Sequence, residues 1–161
     1  MKQKQIKERY DLTADVYDKR YKDIQFEKFR LLLQDVSLSG NILDHGCGTG
    51  LLKEFLDIPL FGIDLSFEML KKAKQRGELV VQGDLEQLPF KDNSFDNVLS
   101  FTALQNIEHP ELALDELKRI TKDKTILTYL DKFDFMDLIE KRFDILEIRQ
   151  AGEDIGFIVK S

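Results

Sequence analysis

The chain has 161 residues, 42% hydrophobic and 34% charged, with 24 Lys and Arg against 30 Asp and Glu for a net charge of −6. That length supports one core, since a domain of about 150 residues buries roughly 68–70% of its unfolded surface, and twelve Phe with abundant Leu and Ile exclude a disordered chain. No apolar run approaches the ~20 residues of a membrane span; the single Cys47 cannot form an internal disulfide, and with two His it cannot build a zinc cluster.

The basic first dozen residues lack the apolar stretch and small-residue cleavage site of a secretory signal. A cytoplasmic single domain over 1–161 is therefore expected. Charge is uneven: residues 1–30 carry nine Lys/Arg against six Asp/Glu, a net of +3, and the rest carries −9. An acidic body predicts no autonomous DNA or RNA binding, and the basic start reads as a solvated helical face.

In chain order, Ile6, Tyr10, Thr13, Tyr17 and Tyr21 predict a helix over 4–20. A second helix is expected over 23–36, with Phe26, Phe29, Leu32 and Leu33 on one face, then a turn at 37–40. Strands are predicted at 41–44, 60–63, 79–82, 95–101 and 125–130. Between them fall a short helix through Leu56, one capped by Ser66 and ended by Gly77, and one opened by Pro110 and running to about Lys122. A helix over 133–142 precedes two strands, 143–149 and 155–160, that flank Gly152 as a hairpin. Alternating strands and helices predict a parallel sheet covered on both faces, with one antiparallel strand added by the hairpin.

Ligands of such sheets sit beyond the carboxyl ends of the strands. The first strand ends in Asp44 and His45, followed by glycines at 46, 48 and 50. Without Cβ atoms the backbone can approach a ligand there. A dinucleotide fingerprint needs G-x-G-x-x-G, and the position of its third glycine holds Leu51. Asp44 would repel a pyrophosphate but suits a cationic amine or sulfonium. The loop thus favours an adenosyl ligand without phosphates over NAD. Asp64, ending the second strand, can accept hydrogen bonds from ribose hydroxyls. Asp84, after the third, can accept from an adenine amine, with Leu65 and Leu85 sandwiching the ring.

These residues resemble the class I S-adenosylmethionine-dependent methyltransferases, in particular small, single-domain, type 11-like members. The resemblance runs through Ile42 to Gly50, Gly62 to Ser66, Gly83 to Leu85, Leu88 to Phe90 and Asn93 to Ser100. It implies a Rossmann-like, doubly wound α/β sheet of seven strands and S-adenosyl-L-methionine as cofactor. Asp44, Gly46, Cys47 and Gly48 would surround the methionine part, Asp64 the ribose, and Asp84 with Leu85 the adenine. Leu65 and Met69 complete that side, and Ser100, Phe101 and Thr102 would lie near the methyl group. Residues 1–36 look like the family's helical lid, with Tyr17 its candidate contact, over a cofactor-binding sheet at 37–161. His45 stands where the family has an aliphatic or small residue, so it either touches the cofactor or packs as a neutral ring. Cys47 reads as a small loop residue rather than a nucleophile.

Methyl transfer needs orientation and desolvation more than a base. No catalytic residue is assigned; Thr102, Gln105, Asn106, Glu108 and His109 are the candidates near the fourth strand's end. The resemblance gives no Asn-Pro-Pro-Tyr signature for planar amino acceptors, since Phe101 to Leu104 stand there. With one helix between the fifth strand and the hairpin, the acceptor side is expected to be open. That suits a protein or RNA acceptor, or a partner subunit completing the site, unless the first 36 residues close over a small molecule. A non-catalytic cofactor-binding subunit and, more remotely, an NAD-dependent oxidoreductase are the alternatives.

Overall fold

The computed structural model describes residues 2–161. Helix α1 spans Lys2–Leu33 without interruption, where two helices were expected. No Gly or Pro lies in this stretch, so nothing in the backbone breaks the hydrogen-bond ladder near Lys22. It stops beyond Leu33, with Asp35 in the left-handed region at φ 60°.

The sheet comprises β1 (Ile42–His45), β2 (Phe61–Asp64), β3 (Leu79–Gln82), β4 (Phe95–Ser100), β5 (Thr121–Leu130), β6 (Asp144–Ala151) and β7 (Asp154–Lys160). Their order is β3-β2-β1-β4-β5-β7-β6. The first five strands pair in parallel, whereas β7 runs antiparallel to both β5 and β6. The hairpin is therefore inserted with its last strand against β5. This is the seven-stranded, doubly wound arrangement expected, with its switch point between β1 and β4.

Four more helices cover the sheet: α2 (Leu51–Leu56), α3 (Phe67–Gln75), α4 (Pro110–Ile120) and α5 (Met136–Glu140). Ser66 caps α3, its hydroxyl accepting from the Met69 N–H at 3.2 Å. Pro110 opens α4, which buries Ala113, Leu114, Leu117 and Ile120 along one stripe. That stripe packs with Leu43, Val98, Leu127 and Phe157 on one face of the sheet. Phe29, Leu51, Leu52, Leu60, Leu99 and Ile126 form the core on the other face, under α1 and α2. Each fully buried side chain of this kind contributes about 1.5–3 kcal/mol.

Two boundaries depart from expectation. β5 begins at Thr121, directly after α4, because Thr121 pairs with Phe95 and its hydroxyl caps the Leu117 carbonyl at 2.6 Å. The polar Lys122 and Asp123 hide this strand in the sequence. α5 is shorter than 133–142, since Phe133 closes a turn onto the Leu130 carbonyl and Asp134 accepts from the Met136 N–H. No helix among the described residues is long and apolar enough to cross a membrane.

Candidate functional site

β1 delivers Asp44 and His45 to the switch point, and the chain then turns through Gly46, Gly48 and Gly50, all at positive φ. The N–H groups of Gly46 and Cys47 both donate to the Ile63 carbonyl, at 2.9 and 3.0 Å, which pins the loop across the end of β2. A Cβ added at Gly48 would meet nothing within 4 Å. Its backbone is bare surface on the cavity wall, a cradle that a side chain would fill.

Asp64 ties this loop to α3. Its Oδ2 accepts from the Gly48 N–H and its Oδ1 from the Ser66 N–H, both at 2.9 Å. Burial pushes its carboxyl above the usual range, against the opposing pull of those N–H groups. Asp84 Oδ1 accepts from the Glu86 N–H at 2.8 Å and from Gln3 Nε2 of α1 at 3.3 Å.

α1 lies over these strand ends and forms one wall of a cavity of about 1100 Å³. The helix is clamped at several points. Asp11 accepts from the Ser66 hydroxyl and, at 3.3 Å, from the Glu68 N–H. Asp18 pairs with Arg76 and accepts from the Thr49 hydroxyl, while Tyr10 Oη accepts from Asn106 Nδ2 at 2.9 Å. Tyr17 meets the Tyr10 ring edge-on and the Tyr21 ring at a tilt and faces the cavity, and burial raises its phenol's pKa.

The structure brings Tyr17, Gly46, Gly48, Asp64, Leu65, Met69, Asp84, Leu85 and Phe101 together on this cavity wall. Asp44 and Cys47 instead line an adjoining pocket of about 50 Å³, which shares Tyr17, Gly46, Gly48 and Phe101 with the larger cavity. Ser100 faces neither. It is fully buried, with its hydroxyl 2.9 Å from His45 Nδ1. Among the acceptor-side candidates, Thr102, Gln105 and Asn106 line the cavity. Glu108 and His109 do not; their N–H groups donate to Glu86 Oε1, both at 2.9 Å.

His45 packs as a neutral ring. It is wholly buried, its pKa is held down to about 4 by that burial, and its Nε2 lies 3.3 Å from the Leu85 carbonyl. A carbonyl only accepts, so Nε2 carries the proton and Nδ1 accepts from the Ser100 hydroxyl. Burial also pushes the Cys47 thiol well up, which fits a loop residue and not a nucleophile.

Sequence reasoning missed a polar cluster on the cavity wall where α1 meets β4 and β7. Lys28 Nζ lies 2.7 Å from the Thr102 hydroxyl and 3.0 Å from Asp154 Oδ1. Asp154 Oδ2 accepts from the hydroxyls of Thr102 and Thr128, both at 2.8 Å. Thr102 itself sits at φ 56°, a left-handed conformation rare for a β-branched residue. Beside it, Gln105 Nε2 donates to the Thr102 carbonyl at 2.8 Å, leaving Oε1 buried without a partner. Lys28 lies in the basic start that reads as a solvated helical face, and only its four-residue spacing to the buried Leu32 on α1 points inward.

The switch-point cradle, the acids at successive strand ends and the strand order define a methyltransferase-type nucleotide fold. Comparison with known proteins agrees. A model of the methyltransferase domain matches residues 43–128, and the chain belongs to that family. An uncharacterized protein of Methanocaldococcus jannaschii is 37% identical over 127 residues, 77% of this chain and 50% of its own. The demethylmenaquinone methyltransferase of Renibacterium salmoninarum is 36% identical over 122 residues, 71% of this chain and 50% of its own. This chain thus spans about half the length of these curated relatives. A SAM-dependent methyltransferase of Thermotoga maritima superposes with a TM-score of 0.81 at 23% identity, covering 96% of this chain and 99% of that one.

Proposed function

We propose that this chain transfers the methyl group of S-adenosylmethionine to a small-molecule acceptor held between α1 and the ends of β4, β5 and β7. The observation that carries this reading is the size of the cavity beneath α1. At about 1100 Å³ it exceeds the ~300–1,000 Å³ typical of a pocket for one drug-sized ligand, which leaves space for a cofactor and a second molecule. Because α1 roofs the site, a folded protein or RNA acceptor is disfavoured.

The residues present fit the cofactor. Gly48 offers a bare backbone cradle, Asp64 and Asp84 keep acceptor lone pairs on the cavity wall, and Asp44 lines the small pocket beside it. Asp64 would hold the ribose hydroxyls, Asp84 the adenine amine, and Asp44 the ammonium group. S-adenosylmethionine supplies a methyl group on a sulfonium that needs no further activation. The protein orients and desolvates: Tyr17 and Phe101 exclude water above the glycine loop, and Lys28, Thr102 and Gln105 present one donor-rich and one acceptor edge to the incoming nucleophile. The unpaired Gln105 Oε1 suits an acceptor that carries an N–H or O–H.

A second reading, that a partner subunit completes the domain, is favoured by one surface. Phe61 pairs in register with Leu79 at the sheet edge, and both are exposed together with Val81 on the same face.

The test is calorimetric titration of the purified chain with S-adenosylmethionine and S-adenosylhomocysteine, with NADH as control and Asp64→Ala in parallel. Micromolar binding of both adenosyl ligands, lost in Asp64→Ala and absent for NADH, is expected. Binding of NADH alone would sink the reading. Light scattering of the free chain tests the edge, where a monomer in both ligand states argues against self-association through it.

A further inference from the structure

Glu78 lies between α3 and β3, where a surface turn would normally show an acid to water. Here the side chain turns inward and is only 2% exposed. Two distant glycines make its room. A Cβ at Gly62 would come 2.7 Å from Glu78 Oε1, and one at Gly50 would come 3.1 Å from Oε2. Cys47 Sγ closes the same space, 2.8 Å from that Gly62 position. The carboxyl therefore sits against the glycine loop, behind the cradle that faces the cavity.

Among the described residues no donor group reaches either Glu78 oxygen or Asp44 Oδ2. Asp44 pairs in register with Gly62, and the Glu78 carboxyl fills the space that Gly62 leaves on that strand, so the two acids adjoin. The groups that face them are Asp64 from β2, the Cys47 thiol from the loop and Lys53 from α2. Lys53 is shared with Asp57, its Nζ 3.6 Å from Oδ1. Two adjoining buried carboxyls without a donor cannot both ionise, so one proton must lie between them. Burial and the neighbouring Asp44 charge both drive Glu78 upward, which makes it the acid of the pair. Asp44 also lines the small pocket beside the cavity, so its carboxylate has one face turned to a ligand.

We propose that Glu78 is a positioning residue for the cofactor: as a neutral carboxylic acid it donates to Asp44 Oδ2 and holds Asp44 as an oriented anion for the cofactor's ammonium group. The proposal rests on reading the glycine loop as an adenosyl site. With Glu78 absent, Asp44 loses its donor in a site shared with Asp64. It then takes the proton itself, and an ammonium group meets a neutral acid.

The experiment uses the full chain and two probes, S-adenosylhomocysteine and 5′-methylthioadenosine, which lacks the amino-acid portion. Glu78→Gln keeps an N–H donor without a titrating proton, and Glu78→Leu removes the donor. Glu78→Leu should weaken S-adenosylhomocysteine at least tenfold at pH 7 and leave 5′-methylthioadenosine within threefold; Glu78→Gln should leave both within threefold. Calorimetry in buffers of different ionisation enthalpy should show about one proton released on binding to Glu78→Leu, and none for the wild type or Glu78→Gln. Equal losses for both probes, or equal losses in both variants, would overturn the proposal and leave a packing role. Should Glu78→Leu fail to fold, carbon-13 NMR of glutamate-labelled wild type decides: the Glu78 Cδ resonance should stay at its protonated position at pH 7, and an ionised signal overturns the idea. Failure of the wild type to bind either probe would instead reject the adenosyl reading itself.

Discussion

Lys28 Nζ lies 3.0 Å from Asp154 Oδ1, and the two side chains are 7% and 1% exposed. This pair joins α1 to the first residue of β7, and the hydroxyls of Thr102 and Thr128 complete the carboxylate's hydrogen bonds. A buried pair of this kind is costly to assemble but costlier to break, because one partner left alone is an uncompensated buried charge.

Lys28→Met should therefore lose about 3–5 kcal/mol of stability in urea titrations. The double variant Lys28→Met/Asp154→Asn, which keeps an acceptor for the two threonine hydroxyls, should recover at least half of that loss. Losses that simply add would show that the pair is not coupled.

Leu32 and Gly156 dock the other end of α1 on the sheet. A Cβ at Gly156 would fall 2.2 Å from Leu32 Cδ2, so the helix sits on a β7 position that has no side chain. Gly156→Ala should cost about 1–3 kcal/mol through overpacking. Shortening the facing residue should relieve it, so that Gly156→Ala/Leu32→Ala is more stable than the sum of its single changes predicts. Additive effects in urea melts would refute a direct clash.

His45 supplies a pH dependence whose sign is fixed. Burial lowers its pKa from 6.5 in the unfolded chain to about 4 in the fold. Between those values the unfolded state binds the proton and the native state does not, so stability falls as pH drops from 6.5 to about 4. The span corresponds to about 3 kcal/mol. Glu78 works in the opposite sense: its raised pKa contributes stability at low pH that is lost as pH rises above its unfolded value of 4.5. The difference between the wild-type and His45→Gln stability curves isolates the histidine. A difference that stays constant from pH 7 to pH 4 would reject a neutral buried ring.

Much of the candidate site was legible because it is local. Asp44, the glycines at 46, 48 and 50, Asp64 and Asp84 each stand at a strand end, and strand ends follow from apolar runs and turn residues near them. Ser100 lies in the core while Phe101 lines the cavity, because the pleat sends alternate side chains to opposite faces and a shift of one residue exchanges cavity for core. Glu78 was invisible because, beside Gly77, it has every mark of a surface turn. Its burial depends on Gly50 and Gly62, which lie on other elements.

The sequence by itself determined the alternation of strands and helices, the cradle loop and the three acids, since each depends on periodicity and backbone freedom within a few residues. Only the tertiary structure decided that β7 inserts between β5 and β6, that one unbroken helix roofs the cavity, that Lys28 meets Asp154, and that Glu78 fills the space beside Gly62 and Asp44. Those outcomes depend on which distant faces bury one another and which charges are thereby withdrawn from water, and no local pattern encodes either.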